Sequence, residues 1–253
     1  MYFDDIKKLS KGFVVYSNYV KDKSWNYYVG FTAKNILDFQ KNLGEAEMFL
    51  ESKKRQLCFA LSPLTKINKK VYSYVTANYQ KYEEEIILLC RKIAKTQKLS
   101  EDYSFKRIDN KTQKDLFIKT FKICKTQTSD GDTYPALSED YFFALEHSFN
   151  HVGDWEFSHY LSFYKNKPIG MVSVCSKGKF CGIYGAGTLV QHRKKGVFSN
   201  LFKHIYDEQL LLGRKYFFCS TKRNSANHRF YNKLGFKDQY VVELWEQKIF
   251  KNL

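Results

Sequence analysis

Apolar and polar positions change period several times along this chain, and each change marks an element. The stretches 12–16 and 25–29 are β-branched and aromatic, which predicts strands. Between Asn35 and Lys54, the apolar residues Ile36, Phe39, Leu43, Ala46, Phe49 and Leu50 recur at helical spacing, with a break expected at Gly44. Residues 56–61 read as a strand stopped by Ser62-Pro63. Tyr79, Tyr82, Ile86, Leu89 and Ile93 form a stripe that predicts a helix over 78–95. The polar segment 95–102 then separates a small α/β domain at 1–95 from a second domain at 101–253.

In the second domain the order of elements carries more information. A strand (103–108) and a helix (112–125) precede a loop with Asp130-Gly131-Asp132 and a second helix (138–149). Alternating strands follow at 155–164 and 169–176, joined by a turn at Lys165-Asn166-Lys167-Pro168. A strand at 180–190, a helix at 196–212, a strand at 215–220, a helix at 225–234 and a strand at 239–245 complete the chain. The expected fold class is α/β: a mixed central sheet with helices on both faces, plus the small N-terminal α/β domain.

Composition narrows the picture. A hydrophobic share of 43%, with 17% aromatic residues, supplies a core and argues against global disorder. No apolar run reaches the length of a membrane span, and the acids at Asp4-Asp5 do not open a secretory leader; a cytoplasmic protein is expected, with no membrane partner. The six cysteines lack metal-knuckle spacing, so neither a metal site nor disulfide staples are expected. A net charge of +16 attracts phosphates, on nucleic acid or on a cofactor, but the cations are spread along the whole chain.

Two segments carry candidate chemistry. Gln191-His192-Arg193-Lys194-Lys195-Gly196-Val197-Phe198-Ser199 lies between an apolar strand and a helix. The first N–H groups of such a helix lack internal partners and favour anions. Gly196 permits close backbone approach, and Arg193, Lys194 and Lys195 add charge. The same residues are also compatible with a basic helix start that binds nothing. In the second segment, 224–236, Asn224 or Ser225 opens a helix that Gly235 closes, and Tyr231 stands seven residues after Asn224.

Taken together, in this order and at this spacing, the segments resemble the GCN5-related N-acetyltransferases, the GNAT family. Arg193-Lys194-Lys195-Gly196-Val197-Phe198 stands for the family's Arg-x-x-Gly-x-Gly/Ala motif, with Phe198 in place of a small residue. Asn224, Tyr231, Gly235 and Phe236 match the later motif, with Asn227 replacing its alanine. The resemblance covers 101–247 and implies the GNAT-like acyl-CoA N-acyltransferase fold, acetyl-CoA as donor, and no metal. It implies that the backbone of Leu189 and Val190 pairs with the pantetheine arm. The N–H groups from Lys194 through Ser199, Val197 and Phe198 included, would hold the pyrophosphate. It also implies that Asn224 touches the arm and that Tyr231 protonates the departing thiolate.

An amine acceptor is mostly protonated at neutral pH, so a base is needed, and Glu156, His159 and Tyr184 are the candidates. His147 and His151 are further candidates for touching the acceptor, which is a small molecule or a protein amine. Two other readings stay open on the residues alone: an acyl-CoA-binding module without turnover, and an RNA-associated protein driven by charge.

Overall fold

The computed structural model describes residues 5–108, 110–126, 137–150 and 154–248. The N-terminal elements are β1 (Asp5–Lys8), β2 (Phe13–Tyr16), β3 (Tyr27–Val29), β4 (Thr32–Ala33), α1 (Ile36–Ser52), β5 (Cys58–Leu61), β6 (Lys66–Ile67), α2 (Lys69–Asn78) and β7 (Tyr79–Cys90). They are followed by β8 (Tyr103–Arg107), α3 (Lys111–Thr126), α4 (Glu139–Ser148), β9 (Glu156–Tyr164), β10 (Lys167–Lys177) and β11 (Phe180–Thr188). The last are α5 (Val197–Leu211), β12 (Tyr216–Lys222), α6 (Ala226–Leu234) and β13 (Lys237–Gln247).

The chain divides into two units, and not by a single cut near 95–102. One unit holds residues 88–219 and 229–238; the other holds 2–87 and takes back 220–228 and 239–253. The reason is a pairing distant in sequence: β13 runs antiparallel to β5, with Glu243 opposite Leu61 and Glu246 opposite Cys58.

In the unit containing the N-terminal residues, the strands lie in the order β1-β2-β3-β5-β13-β7. Phe39, Leu43, Ala46 and Leu50 of α1 are buried against Tyr28, Phe31, Phe59 and Trp245, with Val71 and Val75 of α2 beside them. This buried face carries α1 straight through Gly44, where the sequence predicts a break. Glycine in a helix costs about 1 kcal/mol, less than the burial of a single phenylalanine returns. The expected helix over 78–95 is instead the long strand β7, and the helix lies just before it as α2, capped by Asn68 accepting from the Val71 N–H at 3.0 Å. On β7, Glu85 accepts a hydrogen bond from Ser220, and burial, then Glu83, raises its pKa to about 7.

In the other unit the order is β12-β11-β10-β9-β8. β8 through β11 form an antiparallel meander, and the β11-α5-β12 crossover adds a parallel strand. The β9–β10 turn is the pair Lys165 (φ 47°) and Asn166 (φ 63°), a conformation that suits a two-residue hairpin; Pro168 belongs to β10. Adjacent residues of β9 show helices on both faces. His159 touches Phe117 of α3 and Ser148 of α4, whereas the hydroxyl of Tyr160 donates to Glu208 of α5 at 2.8 Å. Among the described residues no helix is long and apolar enough to cross a membrane.

Candidate functional site

The site is built around the end of β11. This strand follows β10 to Thr188, opposite Gly170, but its register with β12 runs only from Phe180↔Tyr216 to Gly182↔Phe218. One edge of β11 therefore leaves the ladder after Gly182. A bulge near Gly185 (φ 51°) bends the strand over the same stretch, and a register shift falls opposite it between Met171 and Ser173.

Antiparallel alternation decides which amides face that open edge. The Leu189 N–H donates to the Ile169 carbonyl at 2.8 Å, and the Leu189 carbonyl accepts from His192. The Val190 carbonyl accepts from Arg193. Leu189 is thus committed on both sides, so its N–H does not supply the edge, and Val190 lies beyond the strand in a 3-10 turn. Thr188, in the non-bonded register opposite Gly170, turns its N–H away from β10.

Beyond this edge the chain makes a short 3-10 turn (Val190–His192) and enters the basic loop. Arg193 folds back, its Nε donating to the Thr188 carbonyl at 2.9 Å, while Lys194 and Lys195 are exposed. Lys194 (φ 60°) and Gly196 (φ 79°) both adopt left-handed backbone. Space is not what demands glycine at 196. A Cβ there would meet Asn200 Nδ2 at 3.6 Å, an ordinary contact, so the requirement comes from φ. Gly196 is the N-cap of α5, with no side-chain cap and no acid in the first turn. The first-turn amides of Val197, Phe198 and Ser199 consequently have no partner within the helix.

Phe198 does not turn into the core. Its ring stands edge-on to Phe230 at 5.6 Å and to Tyr231 at 6.0 Å, both on α6. Tyr231 is half-buried and also touches Phe236 at 5.2 Å, which in turn packs on Phe202 of α5. These rings hold the phenol beside the start of α5. Asn224 does not open α6. It belongs to the other unit, has left-handed backbone (φ 61°), lies outside the helix, and gives its N–H to His228 Nδ1 at 3.0 Å. The capping oxygen of α6 is Ser225 Oγ, which accepts from the His228 N–H at 3.1 Å.

Two of the three base candidates are displaced. Glu156 pairs with Ser176, six residues along β10 from the Gly170 that faces Thr188, roughly 20 Å at strand rise. It is exposed and bound by Arg214 at 2.6 Å. His159 is buried, bonded to Ser173 Oγ at 2.9 Å and Ser148 Oγ at 3.2 Å, and stacked on Phe149. Burial, then the cations Lys114 and Arg107, lowers its pKa to about 3, so it is a neutral core group. Tyr184 remains: half-buried on β11 at the start of the open stretch, its ring lies over Gly182 and edge-on to Phe218 at 6.2 Å. A Cβ at Gly182 would meet that ring at 2.6 Å. His147 Nδ1–H donates to its own helix at the Phe143 carbonyl, 2.9 Å away, and His151 and the Asp130-Gly131-Asp132 loop lie outside the described residues. No group of acids, histidines and cysteines able to hold a metal occurs among the described residues.

Comparison with known proteins bears on this geometry. Residues 123–236 match the model of the acetyltransferase (GNAT) family. No curated protein matches the sequence. Among solved structures, a GCN5-related N-acetyltransferase from Kribbella flavida superposes with a TM-score of 0.68 at 11% identity, covering 97% of this chain and 90% of that one. A conserved protein of unknown function from Staphylococcus epidermidis gives 0.67 at 11% identity, over 98% and 95% of the two chains. A tandem GNAT protein from the clavulanic acid biosynthesis pathway gives 0.59 at 10% identity, over 93% and 78%. At 10–11% identity these likenesses show a shared fold. The GNAT-family domain that the model identifies spans residues 123–236.

Proposed function

We propose that this protein transfers the acetyl group of acetyl-CoA to an amine of a small molecule or a protein, by direct attack of the amine on the thioester. The observation that carries the reading is the uncapped start of α5 at a left-handed Gly196, next to a strand edge that leaves its ladder. Bound at this site, acetyl-CoA would supply an activated acyl group and a pyrophosphate. The amides of Val197, Phe198 and Ser199 fit the pyrophosphate, with the cations Lys194 and Lys195 favouring the approach of an anion.

The Thr188 N–H, turned away from β10, would donate to the thioester oxygen on which charge develops. Arg193, tied to the carbonyl of the same residue, fixes the strand end. Tyr231 would give its proton to the leaving sulfur, and the packing of Phe198 and Phe236 limits its rotation. Tyr184 is the base candidate on β11.

The test is turnover. The full chain is incubated with acetyl-CoA and a panel of amines, release of the free thiol is followed with a chromogenic disulfide, and acetylated product is identified by mass. Amine-dependent thiol release with N-acetyl product supports the reading. Binding of acetyl-CoA with no turnover on any amine would instead make the domain a cofactor-binding module.

A further inference from the structure

The segment between β7 and β8 is pinned to the two helices that carry the candidate site. Tyr206 Oη of α5 donates to the Arg91 carbonyl at 2.7 Å. The Ala94 N–H donates to the Leu234 carbonyl, at the end of α6, at 3.0 Å. Gly235 (φ 107°) lies against this stretch so closely that a Cβ would meet the Lys92 carbonyl at 2.6 Å. Finally, Asn200 Nδ2 reaches both the Gln97 carbonyl (2.8 Å) and the Gly196 carbonyl (2.9 Å), while its Oδ1 accepts from Thr96 Oγ1 at 3.4 Å.

We propose that residues 91–97 are a strap that positions the cofactor loop, and that Asn200 is the positioning residue through which it acts. This rests on the function proposed above. The Gly196 carbonyl is the last backbone group before the first-turn amides. Holding it from the side fixes the left-handed turn and, with it, the direction of the Val197–Ser199 N–H groups. The Asn200 side chain itself need not touch the ligand for this to work. The strap also bonds the end of α6, so one segment sets both the phosphate loop and the helix that bears Tyr231. It further explains the Gly-Phe ending of α6: the glycine leaves room for the strap, and the Phe236 ring packs on Phe202.

Asn200→Ala removes the side-chain bonds while placing a good helix former in α5, so the fold persists. The full chain is titrated with acetyl-CoA by calorimetry. S-acetylpantetheine, which lacks the pyrophosphate, is followed by ligand-observed NMR. The expected result for Asn200→Ala is about a tenfold weaker Kd for acetyl-CoA, the scale of one lost hydrogen bond, with S-acetylpantetheine binding within about twofold of wild type. Lys203→Ala, which removes only an exposed ion pair with Asp207 on α5, stays at wild type for both ligands. Asn200→Gln, with its amide displaced by one methylene, repeats the Asn200→Ala pattern and replaces it should that variant not express. Unchanged acetyl-CoA affinity, or equal loss of both ligands, would overturn the strap. Failure of wild type to bind acetyl-CoA would instead overturn the function on which the strap rests.

Discussion

Gly196 and Gly213 flank α5 with nearly the same backbone, φ 79° and φ 82°, and this makes a matched pair of substitutions. Alanine at either position meets no clash. Its Cβ would lie 3.6 Å from Asn200 Nδ2 at residue 196, and nothing lies within 4 Å at residue 213. The cost at each is therefore the left-handed conformation itself, about 1 to 2 kcal/mol, which for a chain of this size is about 2 to 8 °C in Tm. Thermal unfolding followed by circular dichroism should give the two variants similar losses. Binding should separate them. To escape the strain, the loop at 196 rotates and redirects the first-turn amides; losing one or two amide–phosphate bonds, each about 1.5 kcal/mol or more, weakens acetyl-CoA at least about tenfold. Gly213→Ala lies at the far end of the helix and should keep wild-type affinity. Equal affinities in the two variants would refute the claim that Gly196 sets a phosphate site.

Three further outcomes follow from the geometry. Tyr231→Phe should lower kcat by about 100-fold or more while leaving the acetyl-CoA Kd unchanged, measured by thiol release and calorimetry. Thr188→Pro deletes an N–H that β10 does not use, so it should lower kcat by about 100-fold with far-UV circular dichroism intact. Glu85 titrates near 7 in the fold against an ordinary value of 4.5, so the folded state holds a proton that the unfolded state has released between these values. Stability should then fall as pH rises from about 4.5 to 7, by about 2 to 3 kcal/mol. Glu85→Gln should raise Tm at pH 8 and change it little at pH 4; the same gain at both values would contradict that titration.

Much of the GNAT-domain fold was legible because its elements are separated by strong punctuation. The strands around Lys165-Asn166 and the helix between Gly196 and Gly213 fall within a few residues of their expected bounds. β7 was not legible. Ile86, Leu88 and Cys90 are buried at period two, but Ile87 and Leu89 are also partly covered, and such a continuous apolar run fits a helix equally well. The return of β13 to pair with β5 has no local signature, which is why the expected division near residue 95 missed it. At the site, the loop from Arg193 to Ser199 was visible as residue types. The edge donor was not, because Thr188 and Leu189 differ only in which side of the ladder their amides face, and the open side was visible only in three dimensions. Glu156 and His159 misled for a related reason. A titratable residue on a strand reads alike whether it is salt-bridged 20 Å away, roughly six strand residues, or bonded inside the core. Asn200 carries no chemical signal in sequence, since its partners Thr96 and Gln97 lie more than a hundred residues earlier.

The most direct test of the central claim is a calorimetric titration of the full wild-type chain with acetyl-CoA, run beside Gly196→Trp, with folding of both checked by circular dichroism. Wild type should bind saturably, and the folded tryptophan variant should lose that binding. Absence of binding by wild type at high micromolar acetyl-CoA, or unchanged binding by Gly196→Trp, would contradict it.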